Sequence, residues 1–516
     1  MVFIDGHNLK IDDIIKVARH KEKVSISEEG KQNIQQAYKI KKEIFESDNA
    51  VYGINTGFGI FANKRIPNAD SAKLSRNLIL SHAVGTGIPF SNEIVRAAML
   101  VRANTLTKGF SGVRQQVVET IVNMLNCDVI PEVPSQGSLG SSGDLGPLSH
   151  LALVFTTDEY DLDEESGFAF YQGKRLTGKQ AMEQSGIPRI ILDSKEGLAI
   201  NNGATFSAAI AALCIYDANN IIQVAELSLS LTLEAMLGCG AAYDERIHAA
   251  RGQNGQIEVA ANVRKYLKGS SLINSTNRVQ DAYSLRCAPQ VQGIARDTLN
   301  FVTEIISREI NAATDNPLLF QPHTALSGGN FHGEPIGMAM DFLSIAISEI
   351  GSISERRVNR MTDENLNAGL PPMLVDNLEA AGLNSGLMML QYTAASLVLE
   401  NQTLVHPDSV FSIPTSAEQE DHNANSMNAC NHLLQILKNV QQVLAIEIYT
   451  ATRAIYLRLR DNKNGQLGDG TRLVHEMIRD ILPYKPGDML WWPEIEKVKQ
   501  LIIENKILSA LNFNKS

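Results

Sequence analysis

Cysteine is scarce in this chain, and its spacing carries no metal signal. The five residues, Cys127, Cys214, Cys239, Cys287 and Cys430, are odd in number and form no C-x-x-C pair. That argues against a disulfide framework and a zinc site and fits free thiols in a reducing cytoplasm. Charge is thin as well: charged residues make up 20% of the chain, below the usual level of about 25%. A low charged fraction points to covered surface, most simply through oligomerisation. The balance is acidic, −11 overall, with no basic cluster. Nucleic acid and membrane are therefore not expected as partners. The N-terminal MVFIDGHNLKIDDIIKVARHKEK carries three acids by position 13 and no long apolar core. It reads as neither a signal peptide nor a transit peptide. The longest uncharged run, Ala380 to Leu399, contains Asn384, Ser385, Gly386, Gln391, Tyr392 and Thr393. It reads as a buried helix, not a membrane span.

What the chain does have is apolar periodicity. Apolar residues make up 44% of it, enough for a sizeable core. Leu433, Leu437, Val440, Leu444, Ile448 and Ile455 recur in steps of three, four and seven, which predicts one long helix face. Leu299, Val302, Ile306 and Ile310 repeat the pattern before Asn316-Pro317 stops it. Pro335 to Ile353 and Phe206 to Leu237 are apolar on nearly every face, as central helices of a bundle are. Strand signals are few: Val51 to Ile54 and the stretch near Phe168 to Tyr171. The expected fold class is all-α, with a loop-rich N-terminal part over 1–200 and a bundle of long central helices over 201–516. Glycine-rich loops at 52–59, 81–87, 137–146 and 327–333 are where chemistry is expected to sit.

One of these loops stands apart. In QGSLGSSGDLGPLSH, residues 136 to 150, glycine falls at every third position. Collagen is excluded by the absence of Pro inside the repeat, a phosphate loop by the absence of a following Lys, and a nucleophile elbow by a spacing one residue too short. A flexible turn remains, beside a sharper reading. In Ser141-Ser142-Gly143 the amide nitrogen of Gly143 can attack the carbonyl carbon of Ser141 and close a five-membered ring. Glycine keeps that nitrogen uncrowded. Loss of water from the ring, and of a second water from Ser142, leaves an exocyclic methylidene, an electrophile made from backbone alone.

This segment resembles the signature of the histidine and aromatic amino-acid ammonia-lyases, whose methylidene-imidazolone (MIO) group forms from an Ala-Ser-Gly triplet followed by Asp-Leu. Six further stretches resemble that family in its order. They are Tyr52 to Gly59 (YGINTGFG), Ser81 to Gly87 (SHAVGTG), Glu196 to Ala199 leading into Asn202-Gly203, Gln280 to Gln290 (QDAYSLRCAPQ), Ser327 to Pro335 (SGGNFHGEP) and Gln419 to His422 (QEDH). The likeness runs from about residue 50 to 460. It implies a fumarase/aspartase-like superfamily architecture, a cytoplasmic homotetramer with shared active sites, MIO built from Ser141, Ser142 and Gly143 with Asp144 assisting dehydration, and neither metal nor nucleotide. The small-molecule substrate is an L-amino acid that loses ammonia.

The resemblance also implies roles. Tyr52 is the base that takes the β-proton, which requires its phenol, ordinarily near 10, to be shifted down. Arg286 grips the substrate carboxylate through its planar fork. Asn202 and Tyr283 complete contacts to the carboxylate and to MIO, and Gln280 and Phe331 are further pocket members. His82, Glu420 and Met388 resemble residues of the histidine enzymes; Glu420 would pair with a substrate imidazole. The expected activity is therefore elimination of ammonia from L-histidine to trans-urocanate, a step of histidine catabolism. A phenylalanine or tyrosine ammonia-lyase, an aminomutase, and a helical scaffold that never builds the ring are the alternatives. A metal site at Glu420-Asp421-His422 is disfavoured because no second His cluster has ligand spacing. Ser141 stands where the family has Ala, so MIO is expected to form and to carry a hydroxymethyl in place of a methyl; the alternative is that Ser141 itself dehydrates or hinders closure, leaving a slow or inactive protein. Asn423 to Met427 follow His422 in a form closer to the aromatic enzymes, and Asn201 to Ala204 lack the usual Ile-Asn-Gly-Thr.

Overall fold

The computed structural model describes residues 1–46, 51–57, 59–61 and 63–512. The chain divides into two compact units. The first comprises Met1–Tyr216, Thr303–Asp341 and Pro407–Asn431; the second comprises Asp217–Val302, Phe342–His406 and His432–Ser516. Each is assembled from three stretches of chain. The helices Thr205–Ala235, Ala288–Glu309, Glu334–Thr362 and Ser426–Asp461 dominate the element order. Their bounds follow the apolar patterns closely. The strands are short and form only small sheets, such as the antiparallel Phe168–Tyr171 and Lys174–Thr177 pair. The fold is predominantly α-helical.

Two expectations need correction. Val51 to Ile54 is not a strand: it is a turn, with the amides of Ile54 and Asn55 both donating to the Val51 carbonyl. Its β-branched composition lacks a partner strand to pair with. The run Ala380 to Leu399 is helical only from Met388, and that helix (Met388–Leu404) buries just Leu390, Ala394, Val398 and Asn401. Tyr392 and Leu399 stay exposed within one chain. The helices Thr205–Ala235 and Glu334–Thr362 are long and apolar enough to cross a membrane, yet 78% and 72% of their apolar windows are buried in protein. They are core helices, hydrophobic because other helices surround them.

In the first unit, Asn92–Thr107 is buried along almost its whole length. It carries Arg102, which donates to the carbonyls of Ala199 and Asn202. Burial holds the Arg102 guanidinium down to about 10. A charge placed there is tolerated because carbonyl dipoles surround it. The effect is to pin the end of the short helix Glu196–Asn201, and with it Asn202.

The second unit has a comparable polar anchor. Arg357 and Glu447 form a fully buried ion pair. Glu447 also accepts from Thr232 Oγ1 at 2.7 Å and from Ser354 Oγ. Removing one partner strands the other in low dielectric. Glu447→Ala is expected to destabilise the protein by about 3–5 kcal/mol, seen as a lowered thermal unfolding midpoint. Glu447→Gln, which keeps acceptor and shape, should lose less.

Candidate active site

The glycine run does not hang free as a turn. Gly143, at φ +74°, pairs with Gly203 through an isolated parallel bridge. The Asp144 amide donates to the Gly203 carbonyl at 2.9 Å. A Cβ on Gly143 would lie 2.1 Å from the Gly203 carbonyl carbon. No side chain fits, and φ is in the region glycine favours. Gly140, at φ +71°, packs equally hard: a Cβ there would meet Ser426 Oγ at 2.2 Å. Its carbonyl accepts from the Gly333 amide at 2.9 Å, and the Leu139 carbonyl accepts from Asn425 at 2.7 Å.

Asp144 directly follows the triplet and is fully buried. It makes no side-chain cap for its own helix, Leu145–Phe155. Instead it accepts from Ser138 Oγ at 2.8 Å, from the Ser207 amide at 2.8 Å and from Ser207 Oγ at 3.1 Å. Ser207 lies in the first turn of Thr205–Ala235, where a carboxylate meets free amides and the positive end of the helix dipole. Burial pushes the Asp144 carboxyl up, against the hydrogen bonds from Ser207 and Ser138. Sequence reasoning misses both serines. A hydroxyl at a helix start is a signal that could have found Ser207; Ser138 gives no such signal.

The other groups converge on Ser141 and Ser142. Asn202 Nδ2 donates to the Ser142 carbonyl at 2.8 Å, and its buried Oδ1 has no hydrogen-bond partner among the described residues. Glu420 accepts from Ser141 Oγ at 3.2 Å and from Ser142 Oγ at 2.9 Å. Glu420 is held by a tight turn, with its backbone bridged to Thr415. That turn runs through left-handed backbone at Ser416, Ala417 and Glu418, with φ of +52°, +53° and +64°. Left-handed backbone costs non-glycine residues about 1–2 kcal/mol each, strain of a kind concentrated at ligand clamps. Two cavities, of about 700 Å³ and 560 Å³, meet these groups. Both are lined by Tyr52, Ser142, Asn202 and Glu420; His82 lines the larger and Phe331 the smaller.

Tyr52 behaves differently from expectation. Burial pushes its phenol up; a hydrogen bond from the Gly59 backbone opposes this, and the Glu420 charge adds to the rise. The only Lys or Arg among the described residues lining the two cavities is Lys64. Phe58, in the same loop, lies outside the described residues. His82 ends the helix Ser71–His82, with Nδ1 3.0 Å from Ser81 Oγ. Burial lowers its imidazole, so it is neutral near pH 7.

Four expected site residues are not in this group. Gln280, Tyr283, Arg286 and Met388 belong to the second unit and line neither cavity. Tyr283 is 69% exposed, and the Arg286 guanidinium sits over its ring at 4.5 Å. From inside that unit, Tyr243 Oη donates to the Leu285 carbonyl at 2.5 Å and Arg286 Nε to the Asp281 carbonyl at 2.9 Å.

These residues suit an MIO group. The triplet's glycine is pressed where only glycine fits, its serine hydroxyl rests on a carboxylate, and an orphaned amide oxygen stands beside it. Among the described residues no cluster of His, Cys, Asp and Glu is placed to hold a metal.

The profile of the aromatic amino acid lyases matches residues 9–480. The chain is 49% identical over 482 residues to a histidine ammonia-lyase of Caldanaerobacter subterraneus subsp. tengcongensis, covering 93% of this chain and 92% of that one. It superposes on the crystal structure of histidine ammonia-lyase from Trypanosoma cruzi with a TM-score of 0.90 at 35% identity, covering 99% and 95% of the two chains. Tyrosine aminomutase from Streptomyces globisporus gives a TM-score of 0.92 at 32% identity, covering 99% and 98%. In the loop these proteins would share, Gly143→Ala is expected to leave a helical protein by circular dichroism whose intact mass shows no loss of water. The packing around that glycine, the helical fold and the match across most of the sequence agree: the chain belongs to the aromatic amino acid lyase family.

Proposed function

We propose that this chain eliminates ammonia from L-histidine to give trans-urocanate. The observation that carries the substrate assignment is the Glu420 carboxylate, held against Ser141 and Ser142 in a cavity that His82 also lines. A carboxylate and a neutral imidazole suit a substrate ring that both donates and accepts hydrogen bonds. A phenyl ring offers a hydrogen bond to neither.

MIO, built from Ser141, Ser142 and Gly143, would supply an electrophilic methylidene able to turn the substrate amine into a better leaving group. The chain's own residues do the rest. Asp144 holds the loop through its hydrogen bonds to Ser138 and Ser207. Asn202 holds the Ser142 carbonyl. Tyr52, as phenolate, takes the β-proton while the Cα–N bond breaks and the Cα–Cβ double bond forms. Glu420 accepts the imidazole N–H, with His82 alongside. Phe331 closes the smaller cavity.

The carboxylate grip is assigned to Arg286, with Tyr283, Gln280 and Met388, from another copy of the chain in a homotetramer. The support is the shortage of cations around the cavities and the exposed apolar residues of the second unit, such as Val279 at 96%. An added guanidinium near Tyr52 would also offset the rise that burial imposes on its phenol. The five free cysteines fit a cytoplasmic protein.

The second reading, an aromatic lyase or aminomutase, is favoured by the likeness to the tyrosine aminomutase and by the apolar wall of Phe61, Leu74, Leu78 and Leu145. A panel of L-amino acids separates the two. Urocanate absorbance is expected with histidine, and turnover of phenylalanine or tyrosine without histidine would overturn the proposal. Because the phenolate is the working form of Tyr52 and its pKa is raised within the chain, activity should climb as pH rises on the alkaline side. Tyr52→Phe should lose that ascending limb while its intact mass still shows two waters gone. Mixing Tyr52→Phe with Arg286→Ala, each severely slowed alone, under subunit exchange should restore part of the activity, since some shared sites then combine two intact residues.

A further inference from the structure

Glu420 holds two serine hydroxyls, and only one of them survives ring formation. The Ser142 hydroxyl, on Oε1 at 2.9 Å, leaves as water when the methylidene forms. The Ser141 hydroxyl, on Oε2 at 3.2 Å, takes no part. In closure the Gly143 nitrogen bonds to the Ser141 carbonyl carbon, and the oxygen lost is that carbonyl oxygen. Among the described residues the remaining side-chain hydrogen-bond contact to the carboxylate is Thr415 Oγ1 on Oε2 at 3.5 Å, outside good hydrogen-bond geometry. The backbone bridge between Thr415 and Glu420 fixes the main chain but not the rotamer of a flexible glutamate. The alanine usual at position 141 in this family could not supply such a bond.

We propose that Ser141 is a positioning residue for substrate recognition. Its hydroxyl retains Oε2 of Glu420, while the departure of the Ser142 hydroxyl frees Oε1 to accept the imidazole N–H of the substrate. One dehydration thus creates the electrophile and opens the acceptor that selects the substrate. Before it, both carboxylate oxygens are occupied. This inference rests on the histidine reading above.

The test separates the two. In Ser142→Ala the full-length chain cannot form the methylidene, yet Oε1 of Glu420 is free, so L-histidine binds without turning over. Its affinity is measured by calorimetry in that background, with Ser141→Ala, Glu420→Gln, and both. Ser141→Ala is expected to weaken binding about tenfold when Glu420 is present, consistent with loss of a hydrogen bond to a charged group, and to have no effect when position 420 is Gln. If binding is too weak for calorimetry, the same cycle is read as KM in the ring-bearing protein. There Ser141→Ala should raise KM more than it lowers kcat, and Ser141→Thr should restore it. Equal weakening with Glu420 and with Gln at 420, or no weakening at all, overturns the role of Ser141. So does an intact mass for the unsubstituted protein showing three waters lost, since Ser141 would then have no hydroxyl. An affinity for L-histidine that Glu420→Gln leaves unchanged overturns the substrate reading instead.

Discussion

A buried carboxylate organises the site. Asp144 is fully buried, with no cation in direct contact among the described residues, and it is held by two hydroxyls and the backbone at the start of the helix Thr205–Ala235. Each bond ties the triplet to something rigid: Ser138 within the loop, Ser207 at the head of the helix Thr205–Ala235. With Asp144 anchored, Gly143 is pressed onto Gly203, and Asn202 reaches the Ser142 carbonyl. Asn202 is in turn fixed by Arg102, whose charge is spread over the carbonyls of Ala199 and Asn202. The reactive loop is therefore held from below by buried polar groups and faces its cavities with little freedom left. That is the preorganisation elimination chemistry needs, since a strained or wandering loop could not align the electrophile with a base.

The long helices were legible in the sequence because only an α-helix gathers apolar residues spaced every 3.6 positions onto one face. Ser426–Asp461 and Thr205–Ala235 lie where Leu433 to Ile455 and Phe206 to Leu237 put them. Val51 to Ile54 misled because β-branched residues report half-buried backbone, not pairing. The Ala380 to Leu399 run misled for a related reason: composition says that a stretch is apolar, not that its own chain packs against it. Of the site, the triplet, Asp144, Asn202 and Glu420 could be marked from motifs. The direction of the Tyr52 shift could not, since desolvation depends on what surrounds the phenol in space. Ser138 and Ser207 were hidden because a serine next to glycine or at a helix start has ordinary structural uses.

Tyr52 and Arg286 illustrate how the two units divide the work. In the proposed function the first unit collects the groups that act on bonds: the triplet, the phenol, the carboxylate. The second presents Tyr283 and Arg286 outward on a segment braced from within by Tyr243. If sites are shared as proposed, such a side chain must be stiff before the neighbour arrives, or the entropy of ordering it weakens the association. The hydrogen bonds to the Leu285 and Asp281 carbonyls supply that stiffness.

The glycine loop is gripped by segments that are remote in the chain: Gly203 and Ser207, Gly333, and Asn425 with Ser426. All of these contacts are in place together only once the chain has folded through every one of these segments. Ring closure, which depends on the bend these contacts impose, therefore serves as a checkpoint on assembly. A truncated or misfolded copy keeps an ordinary Ser-Ser-Gly peptide and stays chemically inert. On the proposed ring closure the electrophile would arise only inside a folded protein, so the loop's dependence on distant partners would double as containment of a reactive group.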